Sequence, residues 1–584
     1  MSVQNADIAA VFNEIADLLE IEGENVFRIR AYRNAARIVG DLRRSVQLMV
    51  EKGGDLTSLP GIGTDLAAKI TEVVITGDCA LLARLRKALP PAITELLKMP
   101  GLGPKRVKAL HDALNVQTIE QLYHAAKEGK IRDVPGFGLK TEQHILDTIE
   151  AHIDRTHRFK LAEAMQYAEP LQKYLAAVPG VDRVAIAGSF RRMCETVGDL
   201  DILVTTDTNS PVMQRFVEYE DVMEVLSSGP TRAGVLLRSG LQVDLRVVVP
   251  GSFGAALVYF TGSKAHNIAL RRLAQDRGLK INEYGVFRGK ERIAGGTEAS
   301  VYEATGLQFI PPELREDRGE LEAARTNRMP KLVRLADLRG DLHAHTKESD
   351  GRNTLREMAM AAKAKGLEYL AITEHSQRLA MARGLDPIRL AKHIDKIDRL
   401  NAELDGITLL KGIEVEILED GNLDLPDSIL ARLDVVIGAV HSRFDLSRAR
   451  QTERILRAMD HPYFNILAHP TGRLINEREP YDIDLLRVIR KAKACGCFLE
   501  LNAQPQRLDL VDKYCQIAKA EGVLISIDSD AHSVFDFENL RFGIGQACRG
   551  WLEKDDVLNT RSLKELQPLL MRSQPQTLGW TESN

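Results

Sequence analysis

The sequence predicts a multidomain α and α+β protein with three successive parts: a helical region, an α+β domain, and a parallel β/α sheet closed into a barrel. Three observations predict this. An apolar-Pro-Gly-apolar-Gly element recurs three times before residue 140, each time followed by helical spacing. Short β-branched runs broken by glycine begin near residue 180. Beyond residue 335, apolar runs alternate with helical segments to the end of the chain. A chain of 584 residues also exceeds what one core supports, so about three to five domains are expected.

The bulk composition narrows the class. No apolar run is long enough to span a bilayer, and "MSVQNADIAAVFNEIADLLE" reads as an amphipathic helix rather than a signal peptide. Six cysteines are few for this length, and Cys495 and Cys497 form a C-x-C rather than a spaced zinc pair, which fits a reducing cytosol. The net charge of -4 carries no basic excess, so a nucleic-acid partner must be argued from local geometry.

The three repeats come first in the chain: "LTSLPGIGTDLAAKI", "LLKMPGLGPKRVKAL" and "IRDVPGFGLKTEQHI". Each reads as helix, tight turn, helix. The glycine pairs Gly61 and Gly63, Gly101 and Gly103, and Gly136 and Gly138 permit a turn that leaves N–H groups open at a helix start, a site suited to phosphate. One copy could be a plain helical hairpin; three copies with one pattern make that reading poor. The pattern resembles the helix-hairpin-helix motif, which implies DNA backbone binding without sequence readout.

In the α+β region, "GSFRRMCETVGDLDILV" sets Asp199 and Asp201 two apart in a strand, hence on one side, with Leu200 behind them. Two carboxylates so close repel, and an apolar strand that looks central cannot bury them unpaired. A divalent cation with a taste for oxygen, Mg²⁺ or Mn²⁺, resolves the conflict. Asp244 in "LQVDLRVVV" is a further carboxylate on a later strand, and just upstream in "GSFRR" backbone N–H groups, Ser189 and Arg192 could hold phosphates. The charged, proline-flanked stretch around 318–335 reads as a linker.

Seven apolar runs follow, and nearly all end in His, Glu or Asp. In a parallel barrel the C-terminal strand ends share one rim. His343, His345, Asp350, His375, Glu414, His441, His469, Asp530 and His532 all occupy such ends. A lone histidine there is usually structural; six of the chain's 14 histidines together with three carboxylates are not coincidence. Mixed His and carboxylate donors suit Zn²⁺, Mn²⁺ or Fe²⁺.

"GSFRR…GDLDILV", "VDLRVV" and "YFTGSKAHN" with "INEYGVF" resemble the family X DNA polymerases over roughly residues 1–317. The resemblance implies metal binding and catalysis by Asp199, Asp201 and Asp244. It implies β- and γ-phosphate binding by Gly188, Ser189 and Arg192, and a sugar pocket lined by Tyr259, Phe260 and Gly262. Asn267 would reach the incoming nucleotide and Arg271 the template side. Lys264 departs from polymerase beta, which is acidic there. By the same likeness Lys69 would be a lyase Schiff-base residue, although Asp65 stands where polymerase beta has another lysine. Residues 336–575 resemble the polymerase-and-histidinol-phosphatase (PHP) domain, a distorted seven-stranded β/α barrel with up to three metal ions, in which Glu414 would bridge a pair.

These likenesses imply an organisation: a lyase-like helical domain at 1–85, helix-hairpin-helix fingers at 86–151, a nucleotidyltransferase palm at 152–250, a thumb at 251–317, a linker at 318–335 and a PHP domain at 336–575. The expected activity is gap-filling DNA synthesis in bacterial DNA repair with 3′–5′ exonuclease trimming, and the same barrel would also serve abasic-site cutting and 3′-phosphate removal. Gapped or primer-template DNA and deoxynucleoside triphosphates are the expected partners of a cytoplasmic, nucleoid-associated monomer with no membrane contact. The competing readings are a PHP phosphoesterase merely delivered to DNA, and a DNA-end scaffold whose metals are staples. The complete aspartate trio argues against the first, and the nine filled ligand positions against the second.

Overall fold

The computed structural model describes residues 5–571 except 41, 43–44, 60, 89–95, 97–101, 115, 117, 144, 147–157 and 208–209. The chain divides into two compact units: Met1–Phe159 with Glu163–Val184 and Gly198–Val247, and Lys160–Ala162 with Ala185–Val197 and Val248–Asn584.

The first unit begins with helices Asn5–Glu22 and Val26–Gly40. Ile8, Phe12, Ile15 and Leu19 recur at helical spacing and are fully buried, as is Tyr32 on the second helix. Asn5 ties the start of this region to a distant loop: its amide donates to the Leu42 carbonyl (2.6 Å) and accepts from the Val46 N–H (2.8 Å). A second helical core gathers Leu102, Val107, Leu110, Leu122, Ile131 and Phe137 around Ile21.

A five-stranded sheet follows. Its strands are β1 (Val181–Ile186), β2 (Asp199–Thr206), β3 (Val222–Ser228), β4 (Arg232–Leu237) and β5 (Gln242–Val247), in the spatial order β1-β2-β5-β4-β3. β2 is therefore internal, flanked on both sides. Leu200, Ile202, Leu203 and Val204 are completely buried, which explains the apolar, β-branched run that carries the two aspartates.

In the second unit, an antiparallel sheet of β6 (Leu279–Asn282), β7 (Gly285–Arg288) and β8 (Glu291–Ala294) packs with helices Phe253–Thr261 and Lys264–Gln275. Arg315 is fully buried here. It donates to Glu298 (2.7 Å) and to the Ile310 carbonyl, so its charge is both paired and hydrogen-bonded. The stretch expected as a linker is folded. Residues Glu320–Arg325 form a short helix, Glu320 accepts from buried His266 (2.6 Å), and Ala324 enters the core beside Tyr302 and Leu307. Glu320 and Arg318 read as solvated in sequence because their partners, His266 and Asp512, lie more than fifty residues away.

The barrel strands are β9 (Gly340–Asp341), β10 (Tyr369–Ile372), β11 (Thr408–Glu416), β12 (Val435–Ala439), β13 (Ile466–Leu467), β14 (Phe498–Asn502) and β15 (Ile525–Asp528). Every neighbouring pair is parallel and the spatial order follows the sequence. A bridge between Ala344 and Ala531 and a bond from the Leu342 N–H to Asp528 (2.8 Å) nearly close the ring.

Strand alternation divides each run between two cores. On β11, Leu409, Ile413 and Val415 pack outward in the large apolar core, while Leu410 joins the second core with Tyr369, Ile437 and Phe498. Glu414 and Glu416 share the parity of Leu410. The inner face thus runs from apolar to acidic along the strand, and the acid lands at the C-terminal rim.

Gly438 on β12 is a packing glycine: a Cβ there would fall on the ring of buried Phe464. Gly438→Ala should destabilise the barrel by about 1–3 kcal/mol. Thermal unfolding should show a lower midpoint, partly restored when Phe464→Leu is added.

Candidate metal and nucleic-acid sites

The two aspartates of β2 face one way, as their spacing requires. β2 and β5 are parallel, and their register sets Asp201 directly against Asp244. Asp199 is exposed, while Asp201 and Asp244 are half-buried. Gln242 donates to Asp244 (3.0 Å), and Arg232 approaches it at 3.8 Å. Gly234 on β4 lies opposite, where a Cβ would come within 3.2 Å of the Asp244 carboxylate. Glycine at that place leaves room for the acid. Among the described residues, sets of three or more donor atoms within 4.8 Å of one another occur only in the barrel. The aspartate trio shares a face and a register without that close approach, as mutually repelling carboxylates do.

In the second unit, Gly188–Arg191 form a single helical turn. The Arg192 guanidinium donates to the Thr261 carbonyl and to Glu316 (3.0 Å). It also lies where a Cβ at Gly262 would meet it at 3.2 Å, and Gly262 has φ +70°. Both facts require glycine there. Tyr259 and Phe260 meet edge to face, Asn267 donates to the Tyr259 carbonyl (2.7 Å), and Arg271 donates to the Asn267 carbonyl (3.1 Å). Ser189, Arg192, Tyr259, Phe260, Gly262, Asn267 and Arg271 thus belong to one compact unit.

The repeated glycines divide their work. Gly61 and Gly136 have φ +81° and +89°, so the first glycine of each pair makes the turn. Gly101 lies outside the described residues. The second glycines, Gly63, Gly103 and Gly138, each accept a helical bond from the N–H four residues on (2.9, 3.1 and 2.9 Å). None has positive φ, and a Cβ on any of them meets nothing within 4 Å. Neither backbone strain nor packing calls for glycine at these three places. At Gly63 no side chain caps the helix that follows, so its first N–H groups are open to an anion.

Lys69 is ion-paired with Asp65 one turn earlier. Burial would lower its amine, but the Asp65 hydrogen bond and nearby Tyr32 hold it above its ordinary value. A Schiff-base nucleophile needs the neutral amine, so this pairing works against lyase chemistry.

The barrel rim assembles all nine expected donors around Glu414. One Glu414 oxygen lies 3.1 Å from His441 Nε2 and 3.0 Å from His469 Nε2. The other lies 2.7 Å from His375 Nδ1, 3.5 Å from His343 Nε2 and 3.7 Å from His345 Nε2. Asp530 stands 3.5 and 3.3 Å from the same His343 and His345 nitrogens. Asp350 joins His375 (3.5 Å) to His532 (3.3 Å). Three overlapping donor clusters result: His345, Asp350, His375 and His532; His343, His345 and Asp530; His375, Glu414 and His441. Glu414 contacts members of all three, which is the geometry of a bridging ligand.

The donor atoms fit cations. His343 Nε2, both ring nitrogens of His345, Asp350 Oδ1 and Glu414 Oε2 are buried without a hydrogen-bond partner. Buried polar atoms are rarely left so, and this many converging on one spot call for positive charge. The backbone is strained to achieve it: His469 and Asp530 have φ +26° and +50°.

Electrostatics tell the same story. Burial opposes ionisation of Glu414, yet His375, His441 and His343 hold its carboxyl well below the ordinary range. Burial would also lower His375 and His532, but Glu414 and Asp350 raise His375 to about 10, and Asp350 raises His532 to about 9. Burial, with His532 and His375 adding to it, drives His345 down to about 3. Protons therefore take the counter-charge role on some rings until cations displace them.

Residues 256–316 match the DNA polymerase beta thumb, 3–79 a helix-hairpin-helix domain, 93–151 a SAM-like helix-hairpin-helix tandem, and 341–528 the PHP domain. A Bacillus subtilis (strain 168) protein named DNA polymerase/3′-5′ exonuclease PolX is 38% identical over 575 residues, covering 97% of this chain and 99% of its own. The chain belongs to the PolX family. Over the barrel alone, proteins named probable phosphatases from Thermoanaerobacter sp. (strain X514) and Caldanaerobacter subterraneus are 33% and 32% identical. Those matches span 38% and 34% of this chain and 89% and 77% of the relatives.

The PHP barrel of this PolX chain also holds acids that sequence reasoning passed over. Glu500 bonds His343 Nδ1 (2.6 Å) and accepts from the His469 N–H (2.6 Å), leaving the other His343 nitrogen for a cation. Glu416 does the same for His441 Nδ1 (2.9 Å) and is itself held by buried Arg454 (3.3 Å). Asn502 donates to Asp530 (3.0 Å) and Glu500 (3.2 Å). Their signal was present in "CFLELNA" and "GIEVEI", where polar residues alternate with apolar ones inside buried strands.

Three outcomes follow from these sites. Metal binding should release protons from His375 and His532 and so tighten as pH rises through neutrality toward about 9; calorimetry in buffers of different ionisation enthalpy measures the release. Glu500→Gln should weaken metal affinity by about 10–100-fold in the same titration. Gly63→Val should keep helix content by circular dichroism yet weaken duplex binding equally on unrelated sequences, because the added side chain bars only the approaching phosphate.

Proposed function

We propose that this chain extends DNA primers across short gaps and degrades 3′ ends at its PHP barrel. The observation that carries the reading is the pair of donor sets in one chain. An oxygen-only trio lies in the first unit, and nine mixed His and carboxylate side chains, Glu414 among them, gather at the barrel rim in the second.

Asp199, Asp201 and Asp244 would hold Mg²⁺ or Mn²⁺, as all-oxygen donor sets do. Such cations supply charge neutralisation at the phosphates and lower the pKa of the attacking hydroxyl. Ser189 and Arg192 bind the β- and γ-phosphates, and Tyr259, Phe260 and Gly262 bound the sugar. Asn267 contacts the nucleotide, and Arg271 the template side. The helical hairpins grip DNA backbones through Gly61, Gly63, Gly103, Gly136 and Gly138, which positions without reading sequence.

At the barrel the donor chemistry suits Zn²⁺, Mn²⁺ or Fe²⁺, which supply Lewis acidity toward a phosphodiester. Glu500 and Glu416 fix the tautomers of His343 and His441, and Glu414 presents its two oxygens to opposite sides of the cluster. The relatives named probable phosphatases favour a second reaction at this rim, removal of a terminal 3′-phosphate. No helix among the described residues is long and apolar enough to cross a membrane. The reading places the chain with bacterial DNA, as a monomer.

The two activities should separate on one labelled gapped substrate. His343→Ala with His345→Ala should abolish 3′–5′ degradation and leave extension intact. Asp244→Ala should abolish extension and leave degradation. Degradation that survives the histidine pair would place the nuclease outside the barrel.

A further inference from the structure

We propose that Arg549, on the barrel helix Leu540–Arg549, is a positioning residue for nucleotide binding, bracing the segment that carries Ser189 and Arg192. This rests on the reading of Arg192 as a triphosphate ligand. All the residues concerned lie in the second compact unit.

Arg549 is buried, 8% exposed, and one of its nitrogens donates both to the Arg192 carbonyl (2.9 Å) and to Glu316 (2.8 Å). Glu316 accepts on the same oxygen from the Arg192 guanidinium (3.0 Å). The other face of Arg549 meets Asp512 (2.9 Å), and Asp512 also meets Arg318 (3.0 Å). The same helix makes two further contacts with this segment. Gln546 donates to the Met193 carbonyl (3.2 Å), and Gly545 leaves space for the Met193 side chain, whose atoms lie 2.6–3.2 Å from where a Cβ would be. Met193 has φ +54°, a conformation its side chain does not favour and its surroundings impose. Beyond it, Arg473 of the barrel pairs with Glu195 (2.6 Å).

The charges explain why an arginine is needed. Arg192 and Glu316 alone make a neutral pair with little pull on a polyanion. Burial would raise the Glu316 carboxyl, but Arg549 and Arg192 together hold it below its ordinary range. Sharing Glu316 between two arginines leaves part of the Arg192 charge uncancelled. The chain Arg192, Glu316, Arg549, Asp512, Arg318 has three cations and two anions, so one positive charge remains for a phosphate group. The bond to the Arg192 carbonyl fixes the backbone from which that guanidinium reaches.

The test is steady-state single-nucleotide insertion by the full-length chain, with deoxynucleoside triphosphate varied. Arg549→Gln should raise KM about tenfold and leave kcat within about twofold. Degradation of single-stranded DNA should be unchanged. Arg192→Ala should raise KM at least as much, and the double variant should match Arg192→Ala alone, because Arg549 acts through Arg192. Arg549→Lys keeps the charge but cannot serve all three partners, so it should show a smaller rise; it stands in for Arg549→Gln if that variant does not fold. If Arg192→Ala raises KM while Arg549→Gln and Arg549→Lys leave it unchanged, the inference is overturned. A full additional effect in the double variant, or a fall in kcat with KM constant, also overturns it. If Arg192→Ala leaves KM unchanged, the triphosphate reading itself fails, a result distinct from the others.

Discussion

A buried carboxylate needs a positive partner, and the barrel is organised around that requirement. Glu414 is 1% exposed, and Glu500, Asp341 and Asp528 on other strands of the barrel are fully buried. No single histidine satisfies so many acids. Six rings must converge, and they come from loops and strand ends spread over nearly two hundred residues. A parallel barrel does this economically, since all its C-terminal strand ends share one rim. The apolar half of each inner face supplies stability and the polar half supplies chemistry.

The outer acids extend the same logic by one layer. Glu500 and Glu416 do not face the centre of the cluster; each holds one histidine nitrogen so that the other points inward. Arg454 and Asn502 then hold the acids. The result is a graded network in which the acids behind the rim fix one nitrogen of His343 and of His441 and leave the other for a cation. Strain at His469 and Asp530 is the backbone cost of bringing the last donors into line.

The aspartate trio meets the constraint differently. It lies at the edge of solvent, with Asp199 exposed, so water relieves part of the repulsion. Register rather than burial brings Asp201 opposite Asp244. Charge pairing also reaches beyond the matched modules: Arg549, which follows the PHP match, pairs with Glu316 at the end of the thumb match.

Much of this was legible in the chain itself. Strand alternation alone placed Asp199 and Asp201 on one side, with Leu200 behind. The His, Glu and Asp endings of successive apolar runs marked the nine side chains that gather at the rim, because strand ends in a parallel barrel share one end. Repeated Pro-Gly-x-Gly elements located the hairpins. These are local patterns, set by chain geometry over a few residues. Tertiary structure decided what depends on distant partners. The charged stretch at 318–335 is anchored rather than free because Glu320 accepts from buried His266 and Ala324 enters the core. Lys69 is held protonated because Asp65 and Tyr32 lie beside it. Glu500 is an orienting acid only because His343 arrives from another strand. Arg549 looks like any helix-terminal arginine until Glu316 and the Arg192 carbonyl meet it. Charge pairing across hundreds of residues leaves no spacing to read in sequence; only the fold brings the partners within reach.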